Sequence, residues 1–244
     1  MKNIYWFLLI ILLLLTVCEK DPAGNPDSQS PLKLLTAIKE NGSLQTEFLY
    51  DSLNRMIRMN MYNADTISYS ELYTYNSENN IITRSFYDYV EYYTYSSEGD
   101  LLSTRRVFLP VSGEKIAVYQ YHDGKIFKAI TYLDGEERGY ILFKYDIRGN
   151  TIERNEYYNI EGETDFLDEE FKLSYDDKIN PLRDYSTYPV DMTRYNNPVL
   201  LYHSLAIMCS LPREIHISYE YDEEGYPVKE FRDNREFEYV YREP

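Results

Sequence analysis

Between residues 32 and 241, apolar and polar positions alternate in short runs, most of them ending on an aromatic-x-aromatic pair. The pairs are Phe48-x-Tyr50, Tyr73-x-Tyr75, Tyr93-x-Tyr95, Tyr119-x-Tyr121, Phe143-x-Tyr145, Tyr219-x-Tyr221 and Tyr239-x-Tyr241, with Leu173-x-Tyr175 as a weaker member. Side chains two residues apart share one face of a strand, so each pair predicts a strand with an aromatic face. Residues 215–221 (IHISYEY) alternate cleanly, one face apolar and one wet, whereas residues 126–132 (IFKAITY) are apolar on both faces. A sheet containing both kinds must curl until part of it covers itself.

The residues after each pair obey turn chemistry. Asp51, Asn76, Ser96, Asp146 and Asp222 open four-residue units that close at Asn54, Asn79, Gly99, Gly149 and Gly225. A type I turn favours Asp, Asn or Ser first, and Gly or Asn where the chain turns left-handed into a bulge. His122-Asp123-Gly124-Lys125 does the same with a tighter turn, and apolar residues resume directly at Met56, Ile81, Leu101, Ile126, Ile152 and Val228. Return turns fall at Asn41-Gly42, Asn63 to Asp65, Ser112-Gly113, Asp134-Gly135, Glu161-Gly162 and Asp233-Asn234. A turn every 10 to 13 residues or so predicts an all-β fold, an extended up-and-down antiparallel meander of about 15 strands. Twist accumulates in so long a sheet, so the expectation is a strongly twisted or curled, partly open, barrel-like sheet. The aspartates are then turn caps and not a catalytic cluster, because alternate hairpin tips of a meander stand about 10 Å apart.

Residues 180–211, NPLRDYSTYPVDMTRYNNPVLLYHSLAIMCSL, break this rhythm. Pro181, Pro189 and Pro198 interrupt ladders, and VLLYHSLAIMCS predicts a short helix. The segment is expected to be an irregular excursion that plugs or caps one end, with Val199, Leu200, Leu205, Ile207 and Met208 adding core. Its tyrosines, Tyr185, Tyr188, Tyr195 and Tyr202, are the candidate ligand contacts, able to stack on sugar rings or to pack within the plug.

Composition changes the picture at the N-terminus. Residues 1–17, MKNIYWFLLIILLLLTV, combine one lysine with an apolar run too short for a transmembrane helix, the plan of a secretory signal. Residues 18–31, rich in breakers, read as a flexible tether, and residues 32–244 as a single β domain. The formal net charge of −16 disfavours nucleic acid and anionic headgroups alike. Cys209 is the only cysteine besides Cys18, so no disulfide framework is predicted once Cys18 is otherwise used. The 28 tyrosines against a single tryptophan suit a half-wet sheet surface on which rings pack and hydroxyls stay solvated.

Leu15-Thr16-Val17-Cys18 resembles the lipobox of bacterial lipoproteins, which implies lipid attachment at Cys18; Val17 departs from the small residue usual there. Glu19-Lys20-Asp21 is similar to the export signal of Bacteroidota-type surface lipoproteins, implying the outer face of the outer membrane, with the periplasmic face as alternative. With the tyrosine hairpins, Asn180-Pro181, Leu211-Pro212 and the closing Tyr219 to Gly225 unit, the whole chain resembles a Bacteroidota-type lipoprotein family of unknown function with a porin-like fold. The hairpins also resemble the tyrosine-aspartate repeats of Rhs-type shells. The resemblance implies a fold and no mechanism.

Catalytic patterns are missing: no Gly-x-Ser-x-Gly elbow, His-Glu-x-x-His, phosphate loop or Cys-x-x-Cys occurs. His122, His203 and His216 read as separate polar residues, and the acidic run at residues 161–170 as a solvated loop without calcium-hand spacing. A membrane-spanning barrel is disfavoured because Arg105-Arg106, Asp168-Glu169-Glu170 and Arg235-Glu236 would interrupt lipid faces. The expectation is therefore a monomeric, non-enzymatic, lipid-anchored envelope scaffold with no cofactor and an unidentified protein or glycan partner. The alternative is a glycan-binding accessory of a polysaccharide-uptake system.

Overall fold

The computed structural model describes residues 33–109, 113–160, 163–183, 195–205 and 211–244. The signal, the tether with Cys18, Tyr185, Tyr188 and Cys209 lie outside the described residues. The strands are β1 (Leu34–Glu40), β2 (Ser43–Tyr50), β3 (Met56–Asn63), β4 (Thr66–Tyr75), β5 (Ile81–Ser85), β6 (Tyr89–Tyr95), β7 (Leu101–Phe108) and β8 (Glu114–His122). They continue with β9 (Lys125–Leu133), β10 (Glu136–Tyr145), β11 (Thr151–Ile160), β12 (Glu163–Ile179), β13 (Asn196–Leu205), β14 (Arg213–Tyr221), β15 (Pro227–Arg232) and β16 (Arg235–Arg242). Each pairs antiparallel with its neighbours in sequence, and β1 pairs with β16 through Leu35 opposite Tyr241 and Ile38 opposite Tyr239. The sheet is thus a closed barrel of 16 strands, where the pattern alone predicted about 15 in a partly open sheet. Closure removes both free edges, which would otherwise present unpaired backbone groups.

The five turn units form as their residues dictate. Asp51 Oδ1 accepts the N–H groups of Leu53 (2.9 Å) and Arg55 (3.0 Å), and Asn76, Ser96, Asp146 and Asp222 each accept the same pair of amides in their own turns. Asn54, Asn79, Gly99, Gly149 and Gly225 stand at φ 59°, 66°, 92°, 90° and 86°. The return turns Asn41-Gly42, Ala64-Asp65, Asp134-Gly135 and Asp233-Asn234 have both residues at positive φ, the conformation that matches strand twist in two-residue hairpins.

At the other end, directly beyond each of the five turn units, the His122–Lys125 turn and the β12–β13 connection, the ladder bulges. Thr74 opposes Thr83 but Tyr75 opposes Ile81, leaving Ile82 as the extra residue. The equivalent residues are Ile57, Leu102, Phe127, Ile152, Val199 and Val228, every one apolar. At these corners the tyrosines act as latches. Tyr75 Oη donates to the carbonyl of Met56 (2.6 Å), Tyr95 to Ile81 (2.9 Å), Tyr121 to Leu101 (3.0 Å), Tyr145 to Ile126 (2.7 Å), Tyr175 to Thr151 (2.7 Å) and Tyr241 to Pro227 (2.7 Å). Each acceptor is the first or second residue of its strand, so at six corners one hairpin is tied to the one before it by a bond worth about 1 kcal/mol. The expectation of solvated hydroxyls is corrected here. The inward-facing ring brings its hydroxyl to a backbone acceptor in place of water.

The aromatic face is the inner face. One buried cluster holds Tyr93, Leu101, Ile126, Ala129, Ile141 and Phe143, and a second holds Leu35, Phe48, Met56 and Tyr73. The outer wall carries charge along its length: Arg58, Arg105, Lys144, Lys172, Glu214, Glu220 and Glu238 are all exposed there. Exposed apolar residues, among them Leu49, Ile57, Leu72, Ile82, Leu102, Val118 and Phe127, are interspersed with these charges.

Two expectations for the irregular region are corrected. The run VLLYHSL is strand β13 and not part of a helix, because it pairs on both sides, Leu201 facing Leu173 of β12 and Ile215 of β14. Pro198, whose ring forbids a ladder donor, sits at the bulge opposite Tyr175. The acidic run is also no loop from residue 163 onward, since Glu169 and Glu170 pair with Glu156 and Asn155. Leu182, just beyond β12, packs against the Leu35–Phe48–Met56–Tyr73 cluster on distant strands, while residues 184–194 and 206–210 of the segment lie outside the described residues.

Candidate functional site

Above the aromatic layer, toward the return turns, the inner wall changes to charge. Antiparallel partners share a face, so Tyr73 opposite Arg84, Arg84 opposite Glu91 and Glu91 opposite Arg106 form one row across β4 to β7. Arg84 grips Glu71 bidentately, Nε to Oε2 at 2.9 Å and Nη2 to Oε1 at 2.7 Å, and its Nη1 lies 3.8 Å from Glu91 Oε2. Arg106 donates to Glu91 from Nη2 at 3.0 Å. The hydroxyls of the core tyrosines complete the shell: Tyr73 donates to Glu71, and Tyr93 to Glu91 at 2.7 Å. Arg84 is 1 % exposed and Glu71 5 %, so a charge lost here cannot be replaced by water.

A second row crosses β8 to β13. Lys115 Nζ stands 3.5 Å from Glu156, and Arg154 bridges Glu156 and Glu169 at 2.7 Å each. His203 Nε2 meets Glu169 at 3.0 Å while its ring stacks on Phe171, centroids 4.2 Å apart. Burial alone would raise the Glu156 carboxyl; Lys115 and Arg154 outweigh it and hold the group below the usual carboxylate range. Burial, with Glu91 beside it, pushes the Tyr93 phenol far above its ordinary value.

This belt was not singled out from the sequence, although a signal existed. In Glu71-x-Tyr73, Glu91-x-Tyr93 and Glu156-x-Tyr158 a carboxylate shares the face of an aromatic residue two positions on, which places it indoors. The Arg105-Arg106 pair shows the same rule, Arg106 turning inward to Glu91 and Arg105 outward to Glu114. The belt carboxylates are each held by a cation or a tyrosine hydroxyl. Among the described residues, no group of three or more His, Cys, Asp or Glu side chains is placed to hold a metal ion. His122 and His216 stand outside the barrel beside Asp123 and Glu214, away from His203.

Of the candidate ligand contacts, Tyr195 lies over Gly149 at the turn end, its backbone N–H donating to the buried Asn150 Oδ1 at 2.7 Å. Tyr202 faces the outer wall opposite Glu214, beneath Lys172 Nζ at 5.3 Å from its ring. The two are not gathered on one surface: about 23 Å of strand separates them.

Among solved structures, the fold is similar to that of a porin-like protein from Bacteroides uniformis, with a TM-score of 0.54 and 12% identity over 85% of this chain and 96% of that one. A porin-like protein from Bacteroides vulgatus aligns over 86% of this chain and 99% of that one at 11% identity, with a TM-score of 0.38. The Photorhabdus luminescens Tc holotoxin pore aligns over 85% of this chain but 12% of its own, at 11% identity and a TM-score of 0.28. The first of these shares the fold; the other two are too distant in shape to bear on it. No protein family and no curated protein matches the sequence. The class defined is therefore architectural, a closed all-β meander barrel of porin-like shape.

Proposed function

We propose that this protein is a non-enzymatic, lipid-anchored scaffold of the cell envelope, held to the outer membrane through Cys18 and presenting its charged end and rim loops to a partner. The observation that carries the reading is the charge spread over the outer wall, where Arg58, Arg105, Lys144, Lys172, Glu214, Glu220 and Glu238 stand exposed among apolar residues. A bilayer would have to desolvate Arg58, Arg105, Lys144 and Lys172 to accept such a wall, at about 2–4 kcal/mol for each Arg or Lys near the midplane. Such a barrel needs an external anchor, and the lipobox-like Leu15-Thr16-Val17-Cys18 supplies one. Several acyl chains on one cysteine hold a water-facing domain stably. The protein acts by its surface, since its belt carboxylates are engaged with cations and tyrosines.

The test is metabolic labelling with a palmitate analogue, together with fractionation of wild type and Cys18→Ser. Label should enter the wild type alone, and the variant should leave the membrane fraction. Protease shaving of intact cells then reports which face carries the barrel. Retention of unlabelled Cys18→Ser in carbonate-washed outer membranes would identify an integral barrel and sink the reading.

A further inference from the structure

The outer wall differs from one side of the barrel to the other. On strands β2 to β9, Leu49, Ile57, Leu72, Ile82, Leu102 and Phe127 stand exposed toward the corner end. On β10 to β16, among the described residues, Leu167 is the one large apolar strand residue so exposed. Four of the six, Ile57, Ile82, Leu102 and Phe127, are the extra residues of the corner bulges. A bulge is a backbone feature and needs no apolar side chain at a position that faces solvent.

Charge divides along the same line. Among the apolar residues of β2 to β9 the outward charges are Arg58, Arg105 and Lys128. Glu47 accepts bonds from Asn60 and Tyr62, and Glu114 is met by Arg105. Arg58 stands in one cross-strand row between Leu49 and Leu72, with no acidic partner among the described residues. The other flank is acidic: on β14 to β16 the outward Glu214, Glu220, Glu236 and Glu238 outnumber Lys229 and Arg242.

β1 lies between the two flanks, paired with β16 on one side and with β2 on the other. The chain enters β1 at the corner end, where Leu34 is opposite Arg242 and Lys33 Nζ meets Asp222 at 2.8 Å. From Cys18 to Lys33 the chain spans at most about 50 Å, so a lipid on Cys18 keeps this end close to the bilayer. Tethering at such range presents the surface to the wall at a high effective concentration.

We infer that the β2–β9 flank is a membrane-contacting face that lies against the lipid surface at headgroup depth. The apolar side chains enter the boundary between headgroups and acyl chains, and Arg58, Arg105 and Lys128 keep their cationic ends at the phosphates. The net charge of −16 does not oppose the contact, because the acidic flank is turned away. A second copy fits less well, since a twofold contact sets this basic flank against itself. The contact is shallow and one-sided, unlike that of a spanning barrel, whose lipid would also meet Lys144 and Lys172. It rests on the proposed anchor at Cys18.

The experiment uses the lipidated protein, reconstituted with vesicles of phosphatidylglycerol and phosphatidylcholine brominated in its acyl chains. Trp6, the only tryptophan, lies in the signal, so Leu102→Trp, Phe127→Trp and Leu167→Trp each give the mature chain a single reporter. Bromine should quench the first two by about half or more and leave Leu167→Trp unchanged. Adding Leu49→Glu and Arg58→Glu should restore the emission of Leu102→Trp while the chain still sediments with the vesicles. A sedimented chain with both flank reporters unquenched overturns the contact alone, whereas a chain that does not sediment overturns the anchor and the contact together. Equal quenching of Leu167→Trp, or unquenched reporters in a chain that sizes as a dimer, overturns it in favour of an immersed wall or a second copy.

Discussion

At the end bent by the Asp/Asn-to-Gly/Asn corners, the lumen is filled with rings whose hydroxyls reach backbone carbonyls. At the opposite end it is lined by arginines and glutamates. The tyrosine end repeats a local solution hairpin by hairpin, so its stability is a sum of many small, similar bonds. The charged end is built from two rows in which every member depends on a partner from another strand. Losing one latch should loosen one corner, whereas losing one belt residue should strand its neighbours.

The largest expected effect breaks the tyrosine end as a whole. Burial first of all raises the phenols of Tyr75, Tyr95 and Tyr145 from 10.0 to about 12. A folded-state value above the unfolded one means that this stability is complete below pH 10 and is lost as pH climbs toward 12. Circular dichroism and tyrosinate absorbance followed together should show cooperative unfolding inside that window. Ionisation of every tyrosine near pH 10 with the sheet intact would refute the latches.

Next comes the charged end. Arg84→Met leaves Glu71 and Glu91 buried beside a missing cation and should cost about 3–5 kcal/mol in urea unfolding. At a single corner, Gly149→Ala should cost about 1–3 kcal/mol, because φ is +90° and a Cβ would meet Tyr195 Cε2 at 2.9 Å. Tyr95→Phe removes one latch and should cost about 1 kcal/mol, while Tyr87→Phe, exposed in the turn between β5 and β6, should cost close to nothing. Smallest of all, Arg105→Ala severs an exposed pair with Glu114 on the outer wall and should stay within about 0.5 kcal/mol. A cost for Tyr95→Phe equal to that of Arg84→Met would erase the contrast between the ends.

Much of the tyrosine end was legible in advance, since Asp51 to Asn54 or Asp146 to Gly149 carries its turn in its own four residues. The hydroxyl partners were not legible. Tyr75 and Met56 lie 19 residues apart and meet only because a bulge aims one at the other. Strand β13 was hidden for a similar reason: Val199 to Tyr202 is a continuous apolar and aromatic run, so periodicity does not separate strand from helix, and pairing with β12 and β14 decides. Within the charged belt, the Glu71-x-Tyr73 spacing puts Glu71 on the aromatic face, but its pairing with Arg84, 13 residues on, is set by the β4–β5 register.

Outside β12 and β13, strand positions, corners and the face carrying the aromatic residues were determined by the sequence alone, because alternation and turn preference act over a few residues. Closure onto β1, the sixteenth strand and the pairing of buried charges were decided only in three dimensions. Those features depend on the summed stagger and twist of all the strands, and on which side of the sheet turns inward, and neither quantity resides in any short stretch of chain.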